Sequence, residues 1–292
     1  MITNIGFWLA FTGQRATAEP FLRQGLQGAV DLGARADEAY ARLAMSWMLE
    51  QYGDWGAALR EGETALALAR HIGHREWIAS GLPSTGRIAR VCGAHRRARS
   101  LHEEMLATAR ELGTAPWIAG ALAEVGQDLV ALGDPAEGER CVREAIATAA
   151  EAVEFILIAR LALVDLRLAQ QQPALALETP QQAENEAGDY RAWRLDARRL
   201  RAESLIALGR FDEAEPLLDA VETEARGCGI GPVVWPAALT RADLLAGREA
   251  TGDARALRET VRADLERVAS DLPPDLRASF ESGPLFSRAH SA

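Results

Sequence analysis

The fold of this chain is decided by one stretch, LAEVGQDLVALGDPAEGERCVREAIATA, which covers residues 122–149. Gly133 divides the stretch into two halves, and each half carries apolar residues at helical spacing. Small residues lie seven positions before this glycine, at Gly126, and five positions after it, at Gly138. Two helices of a tight hairpin can approach closely only where their side chains are small. The stretch therefore predicts two antiparallel helices that are joined at Gly133 and cross at the two small residues.

The same arrangement recurs along the chain with a period of about forty residues, which is the signature of a repeat architecture. Equivalent turn glycines are Gly13, Gly53, Gly93, Gly133 and Gly209, and a second series that ends the following helix is Gly33, Gly73 and Gly113. Alignment of Pro173 with Pro135 places Gln171 at the fifth turn, and a degenerate last turn is predicted near Gly247. Because no strand-like alternation persists, we predict an all-α chain, a right-handed α-solenoid of about seven antiparallel helix hairpins.

The repeat divides the chain into seven units and a terminal segment. The predicted units are residues 1–33, 34–73, 74–113, 114–153, 154–188, 189–229 and 230–270. Residues 271–292 are predicted to form a C-terminal capping helix and a tail. Only twelve residues precede Gly13, so the first helix should be short and its apolar run IGFWLAF (residues 5–11) should lie partly uncovered. The sequence therefore looks like a piece of a larger protein, and the uncovered hairpin suggests self-association.

Composition and charge exclude several classes of partner and chemistry. The formal net charge of −10 argues against nucleic acid and against an anionic membrane surface, both of which require a basic footprint. All 32 basic residues are arginine, which excludes a P-loop lysine and a lysine Schiff base. The three cysteines, Cys92, Cys141 and Cys228, form no CxxC pair, and no signal peptide or bilayer-spanning run is present. We therefore expect a cytoplasmic protein.

No residue pattern indicates catalysis, a cofactor or a metal. His71 and His74 lie three residues apart, but no acidic or thiol partner follows at a metal-binding spacing. An aromatic residue recurs sixteen positions before the turn, and we interpret this series as packing between repeats: Trp77, Trp117, Phe155 and Trp193. We therefore predict that the protein is not an enzyme.

The small–glycine–small arrangement of residues 122–149 resembles the tetratricopeptide (TPR) repeat. The forty-residue period is similar to the longer-helix variety found in the sensor regions of large bacterial signalling ATPases and transcriptional regulators. The resemblance covers nearly the whole chain, and it implies that ligands bind in a concave groove lined by the first helix of each unit. Carried onto this sequence, the partner-binding positions are Tyr40, Trp47, Glu50, Arg87, Arg90, Gln127, Asp165, Arg199 and Glu203.

Two functions are compatible with this resemblance. The leading hypothesis is a non-catalytic scaffold that binds a protein or peptide segment on the concave face of a TPR superhelix. The alternative is the regulatory sensor region of a signalling ATPase or transcriptional regulator, which binds a partner or a small effector and is separated from its effector domains.

Overall fold

The structure, a computed structural model, describes residues 1–149 and 152–291. Residues 150, 151 and 292, which belong to the predicted fourth unit and to the predicted tail, lie outside the described residues. All regular elements of the described chain are α-helices, as predicted. They are α1 (Ile2–Phe11), α2 (Arg15–Asp31), α3 (Arg35–Tyr52), α4 (Trp55–Ile72), α5 (Arg75–Val91), α6 (His95–Leu112), α7 (Ala115–Ala131), α8 (Pro135–Thr148), α9 (Val153–Ala169), α10 (Pro173–Ala176), α11 (Pro180–Ala187), α12 (Arg191–Ala207), α13 (Phe211–Cys228), α14 (Gly231–Gly247), α15 (Thr251–Asp271), α16 (Pro274–Glu281) and α17 (Pro284–His290).

Successive helices pair into hairpins, and the first helices of neighbouring hairpins also contact one another. The inner layer of the solenoid therefore consists of α1, α3, α5, α7, α9, α12 and α14. The fifth hairpin differs from the others because its second helix is divided into the short helices α10 and α11. Pro180 occupies the first position of α11, where its ring is tolerated but cannot continue the preceding helix.

The predicted turns have the backbone conformation that the repeat requires. The turn glycines all have positive φ, between +65° and +91°. Gln171 has a φ of +58°, which confirms the register of the fifth hairpin despite the missing glycine. In the last hairpin the left-handed residue is Glu249, whereas Gly247 is still helical, so the prediction near Gly247 was two residues early. The hairpin geometry is thus retained where the glycine is lost, at a local cost of about 1 kcal/mol.

The small residues mark the crossing points of the helices, as the sequence indicated. A Cβ atom on Gly138 would lie 2.6 Å from the backbone oxygen of Gly126, and one on Gly126 would lie 2.8 Å from that of Gly138. No side chain larger than hydrogen can occupy either position without separating α7 from α8.

The array closes on itself, which the sequence did not indicate. The indole of Trp55, in the second hairpin, packs edge-on against Trp235 at 5.4 Å and against Phe280 at 5.6 Å. Arg60 donates a hydrogen bond of 2.9 Å to Asp271, which adds a polar contact between α4 and the end of α15. The largest apolar core accordingly combines residues 10–92 with residues 195–289.

The C-terminal segment completes this closure. Two short helices, α16 and α17, form where a capping helix and a tail were predicted. Leu276 and Phe280 of α16 are buried, and the Phe280 ring packs against Phe286 of α17 at 5.6 Å. At the opposite end, α1 keeps Ile5 and Trp8 43% and 48% exposed, so the N-terminal run is partly uncovered. In the described chain no helix combines the length and apolarity needed to cross a bilayer.

Candidate functional site

The inner helices surround a cavity of about 560 Å³, called the concave cavity below. Each of the seven inner helices, α1, α3, α5, α7, α9, α12 and α14, contributes to its wall. Because the array closes, side chains from both ends of the chain meet across this space. The volume is within the range of small-molecule and cofactor pockets, roughly 300–1,000 Å³.

Aromatic side chains dominate the wall of the concave cavity. Ten of the chain's seventeen aromatic residues line it: Phe7, Phe11, Tyr40, Trp47, Trp55, Trp77, Trp117, Phe155, Tyr190 and Trp193. A concave aromatic surface of this kind is suited to apolar and cationic groups.

The aromatic series of the repeat has two roles. Its members pack on neighbouring rings, as predicted: Trp117 lies edge-on to Phe155 at 5.2 Å, and Trp77 stacks on Tyr40 at 4.8 Å. The rings are only partly buried, however, and the rest of their surface faces the cavity. The series therefore packs between repeats, as predicted, and its rings also line the concave cavity.

Two arginines of α5 line the cavity, but both form ion pairs with carboxylates of the protein. Arg87 donates from Nε and Nη2 to the two oxygens of Glu50, at 2.6 and 2.7 Å, and from Nη1 to Glu124 at 3.1 Å. Arg90 donates to Glu124 at 2.7 Å and to Asp128 at 3.0 Å. The predicted arginine pair is thus neutralised within the protein.

The ion pairs extend into a buried cluster, called the arginine cluster below, which contains Glu50, Arg87, Arg90, Glu124 and Asp128. Glu124 is only 2% exposed. Burial alone would raise the pKa of Glu124, but the charges of Arg90 and Arg87 outweigh it and lower the pKa to about 2. Behind it, Nδ1 of His102 lies 2.5 Å from a carboxylate oxygen of Asp128, and both residues are fully buried. The cluster is therefore an ionised element of the helix packing.

Asp165 differs from every other carboxylate that lines the cavity. Among the described residues, no side-chain or backbone donor forms a hydrogen bond or an ion pair with it. Asp165 is exposed, and it lines the half-open concave cavity. The protein groups around this carboxylate desolvate it, and this desolvation raises the pKa of Asp165 to about 7; the charge of Arg199 opposes the shift, whereas those of Asp196 and Glu203 add to it.

Seven of the nine predicted binding residues line the concave cavity: Tyr40, Trp47, Glu50, Arg87, Arg90, Gln127 and Asp165. The other two, Arg199 and Glu203, are not part of its wall. Arg199 is largely buried and donates hydrogen bonds to Asp196 at 2.7 Å and to Glu203 at 2.8 Å. The structure therefore places Asp196 at the wall, and Arg199 and Glu203 beside it.

Several lining residues lie outside the positions that the repeat indicated. Phe11 reaches the cavity because closure brings α1 against α12, where its ring lies 5.5 Å from that of Trp193. Tyr190 precedes α12 and donates a hydrogen bond of 2.5 Å to Glu154; burial and this contact raise the pKa of Tyr190. The repeat pattern contains no signal for these contacts, because they depend on closure or on the start of a helix.

Within residues 1–149 and 152–291, no group of three or more His, Cys, Asp or Glu side chains is arranged so that it could hold a metal ion. His74 instead caps α5, since its Nδ1 accepts a hydrogen bond of 3.3 Å from the backbone N–H of Trp77. Its ring also stacks on the Trp77 indole at 4.9 Å. These contacts show that His74 stabilises the start of α5.

No protein-family model matches this sequence. No curated protein matches it either. Solved structures nevertheless show the same architecture at low identity. A Rap protein in complex with Competence and Sporulation Factor has a TM-score of 0.70 at 14% identity, over 87% of this chain and 71% of that chain. The apo form of RapI has a TM-score of 0.58 at 13% identity, over 97% of this chain and all of the other.

A third neighbour is the Rap conjugation gene regulator of plasmid pLS20 in complex with the Phr* peptide, with a TM-score of 0.57 at 13% identity. It is matched over 74% of its length by 87% of this chain. Identities at this level establish the fold alone. The chain is a TPR-like repeat protein, an all-α solenoid similar in architecture to Rap proteins.

Proposed function

We propose that this chain is a non-catalytic receptor that takes a short peptide segment into the concave cavity. The observation that carries the proposal is the concave aromatic wall, to which ten aromatic residues contribute. Half-buried aromatic rings supply large contact area with few rotatable bonds, so ordering them costs little entropy on binding. Apolar surface of this extent on the inner face of a solenoid is suited to a ligand.

The structural neighbours support a peptide as the ligand class. One Rap structure contains Competence and Sporulation Factor, and another contains the Phr* peptide. Both share the solenoid architecture of this chain, and the concave cavity is the space that the inner helices of this architecture line here. The three free cysteines support a cytoplasmic location for the receptor.

Closure of the array favours the sensor alternative as a second candidate. The cavity wall combines Phe11 of α1 with Trp193 of α12 and Val233 of α14. A ligand that contacts these residues would bind the closed arrangement more tightly than an opened one. Binding would then shift the equilibrium toward closure, which is the property a regulatory sensor needs.

The proposal is tested by co-elution of the protein with a synthetic hexapeptide library in size-exclusion chromatography, followed by mass spectrometry of the retained peptides. The parent should retain a defined subset of the library. Trp117→Ala should reduce retention of that subset about tenfold or more, because the indole is an aromatic anchor of the wall.

Phe211→Ala is the matched control, because this ring is 44% exposed and lies outside the cavity wall. Both variants should keep the helical circular-dichroism spectrum of the parent. Equal retention by the Trp117 variant and the parent would place peptide binding elsewhere. Retention of small organic compounds in place of peptides would support the small-effector form of the sensor.

A further inference from the structure

His102 of α6 occupies a core position that is apolar in other hairpins. This position lies nine residues after the turn glycine, and fully buried aliphatic side chains fill it in three other hairpins: Leu22, Val142 and Leu218. His102 is equally buried, and its ring lies against Gly86 of α5, where an added Cβ atom would overlap the ring. The glycine at this helix crossing therefore makes room for an imidazole in the core.

Asp128 of α7 occupies the position that faces His102 from the next hairpin. Nδ1 of His102 lies 2.5 Å from one oxygen of Asp128, and Nη1 of Arg90 donates to the other oxygen at 3.0 Å. At the following boundary between hairpins the equivalent residues are Val142 and Leu166, which belong to one apolar cluster. Two ionisable side chains thus replace an apolar contact, at a desolvation cost that helix packing alone does not require.

Both ring nitrogens of His102 face oxygen acceptors. Besides Asp128 at Nδ1, Nε2 lies 3.5 Å from the backbone oxygen of Pro83 and 4.0 Å from a carboxylate oxygen of Glu124. A neutral imidazole carries one N–H, so in either tautomer a nitrogen lone pair would point at one of these oxygens. The imidazolium, which donates from both nitrogens, fits the contacts.

The imidazolium also balances the charge of the arginine cluster. The cluster contains three carboxylates and two guanidinium groups, so one carboxylate lacks a countercharge unless His102 is protonated. Its α5 and α7 members surround the ring: Arg87, Arg90, Glu124 and Asp128. On α6 itself, Arg99 and Glu103 form an exposed ion pair with each other. The third positive charge of the buried group therefore comes from the ring.

We propose that His102 is a proton switch built into the fold, whose imidazolium form holds the two cavity arginines in place. Arg87 and Arg90 line the concave cavity, and both donate to carboxylates that the imidazolium also faces. Loss of the ring proton would turn a lone pair toward a carboxylate and leave the cluster with excess negative charge. This repulsion would displace the ring from Gly86 and loosen α6 from α5 and α7, two helices of the cavity wall. The switch is independent of the ligand that the cavity takes.

The charge of the ring is measured by ¹⁵N NMR of protein labelled in histidine, because the two nitrogen shifts distinguish the imidazolium from both neutral tautomers. The signals of His102 are assigned by their loss in His102→Leu. At about pH 7.5, where a solvent-exposed imidazole is mostly neutral, both nitrogens of His102 should carry a proton. A neutral ring under these conditions would overturn the proposal.

Charge balance is tested with variants that restore the apolar contact of the next boundary. His102→Leu leaves an unbalanced carboxylate and Asp128→Leu leaves an unbalanced cation, so each should raise the unfolding equilibrium constant in urea at least about a hundredfold at mildly acidic pH. The double variant balances the cluster again and should return to within about tenfold of the parent. A double variant that is at least as destabilised as either single variant would overturn the proposal.

The switch itself is read from the pH dependence of stability. The unfolded chain releases its histidine protons near about pH 6.5, whereas the folded protein keeps the one on His102. Stability from the imidazolium is therefore full in mild acid and is lost as the pH rises. Between about pH 7 and 8 the unfolding constant of the parent, divided by that of the double variant, should rise about tenfold. Asp165 titrates in both proteins and cancels from this ratio, and a constant ratio would overturn the proposal.

Coupling to the cavity is read from the Nε–H signals of Arg87 and Arg90, which are assigned with a lysine substitution at each position. Both signals should move at the pH where the His102 ring loses its proton, and they should stay constant in the double variant. His71→Leu is the matched control, because it removes an exposed histidine of α4, and it should behave as the parent does. Titration of His102 without movement of either arginine signal would overturn the coupling.

Discussion

Replacement of Gly53 by alanine should destabilise the protein far more than the same replacement at Gly133. Both glycines end the first helix of a hairpin, and their φ angles are nearly equal, at +86° and +91°. Their surroundings differ. A Cβ atom on Gly53 would lie 2.5 Å from the Trp235 indole, whereas a Cβ atom on Gly133 would meet nothing within 4 Å.

The expected magnitudes follow from these geometries. Alanine in the left-handed region costs about 1 kcal/mol at either position. At Gly53 the new methyl group must also displace Trp235, which is only 2% exposed and is held by Trp55 at 5.4 Å and by a hydrogen bond of 3.2 Å to Asp264. Overpacking of this kind adds roughly 1–3 kcal/mol. We therefore expect a total of about 3 kcal/mol for Gly53→Ala and about 1 kcal/mol for Gly133→Ala.

Urea unfolding, followed by circular dichroism and by tryptophan fluorescence, measures both free energies. Coincidence of the two transitions is required, because repeat arrays can unfold in steps. Trp235→Phe removes the ring atoms nearest to Gly53, so it should offset part of the cost when combined with Gly53→Ala. Equal costs for the two single glycine variants would refute the closure of the array, since the contact with Trp235 is the difference between them.

The remaining predictions concern charge and association. Glu124→Gln should cost about 3 kcal/mol at neutral pH, since it breaks a buried ion pair, whereas Glu103→Gln in the exposed pair with Arg99 should cost less than about 0.5 kcal/mol. Because the pKa of Glu124 is lowered to about 2, its contribution is present above about pH 4.5 and is lost as the pH falls toward 2; denaturation curves over this range should show Glu124→Gln converging with the parent. The pKa of Asp165 is raised to about 7, so its effect on stability has the opposite pH dependence. The protonated carboxyl stabilises the native state near pH 4, and this stability is lost as the pH rises through 7. Thermal melts should therefore show the melting temperature of the parent falling relative to that of Asp165→Asn over that range. If α1 mediates self-association, the mass from light scattering should rise with concentration for the parent and stay constant for Trp8→Ser.

The helix hairpins could be predicted from the sequence because each depends on contacts between residues that are close along the chain. Gly126 and Gly138 meet across one turn, and their spacing reports the crossing directly. The position of Gln171 could be predicted for the same reason, although its residue type is unusual for a φ of +58°. Closure could not be predicted, because Trp55 and Trp235 are brought together by the summed curvature of all intervening hairpins. A small rotation per repeat determines that sum, and no local pattern encodes it.

In the cavity too, the positions of residues follow from local sequence, whereas their charge partners come from other hairpins. The repeat register places Tyr40, Trp47, Arg87 and Asp165 on the inner face, and all four line the wall. Their charge states depend on partners from other hairpins: Arg87 is neutralised by Glu50 and Glu124, which lie 37 residues before and after it, whereas Asp165 has no such partner in the described chain. An arginine pair that looked free in the sequence is therefore structural, and a carboxylate that looked ordinary is the unpaired group.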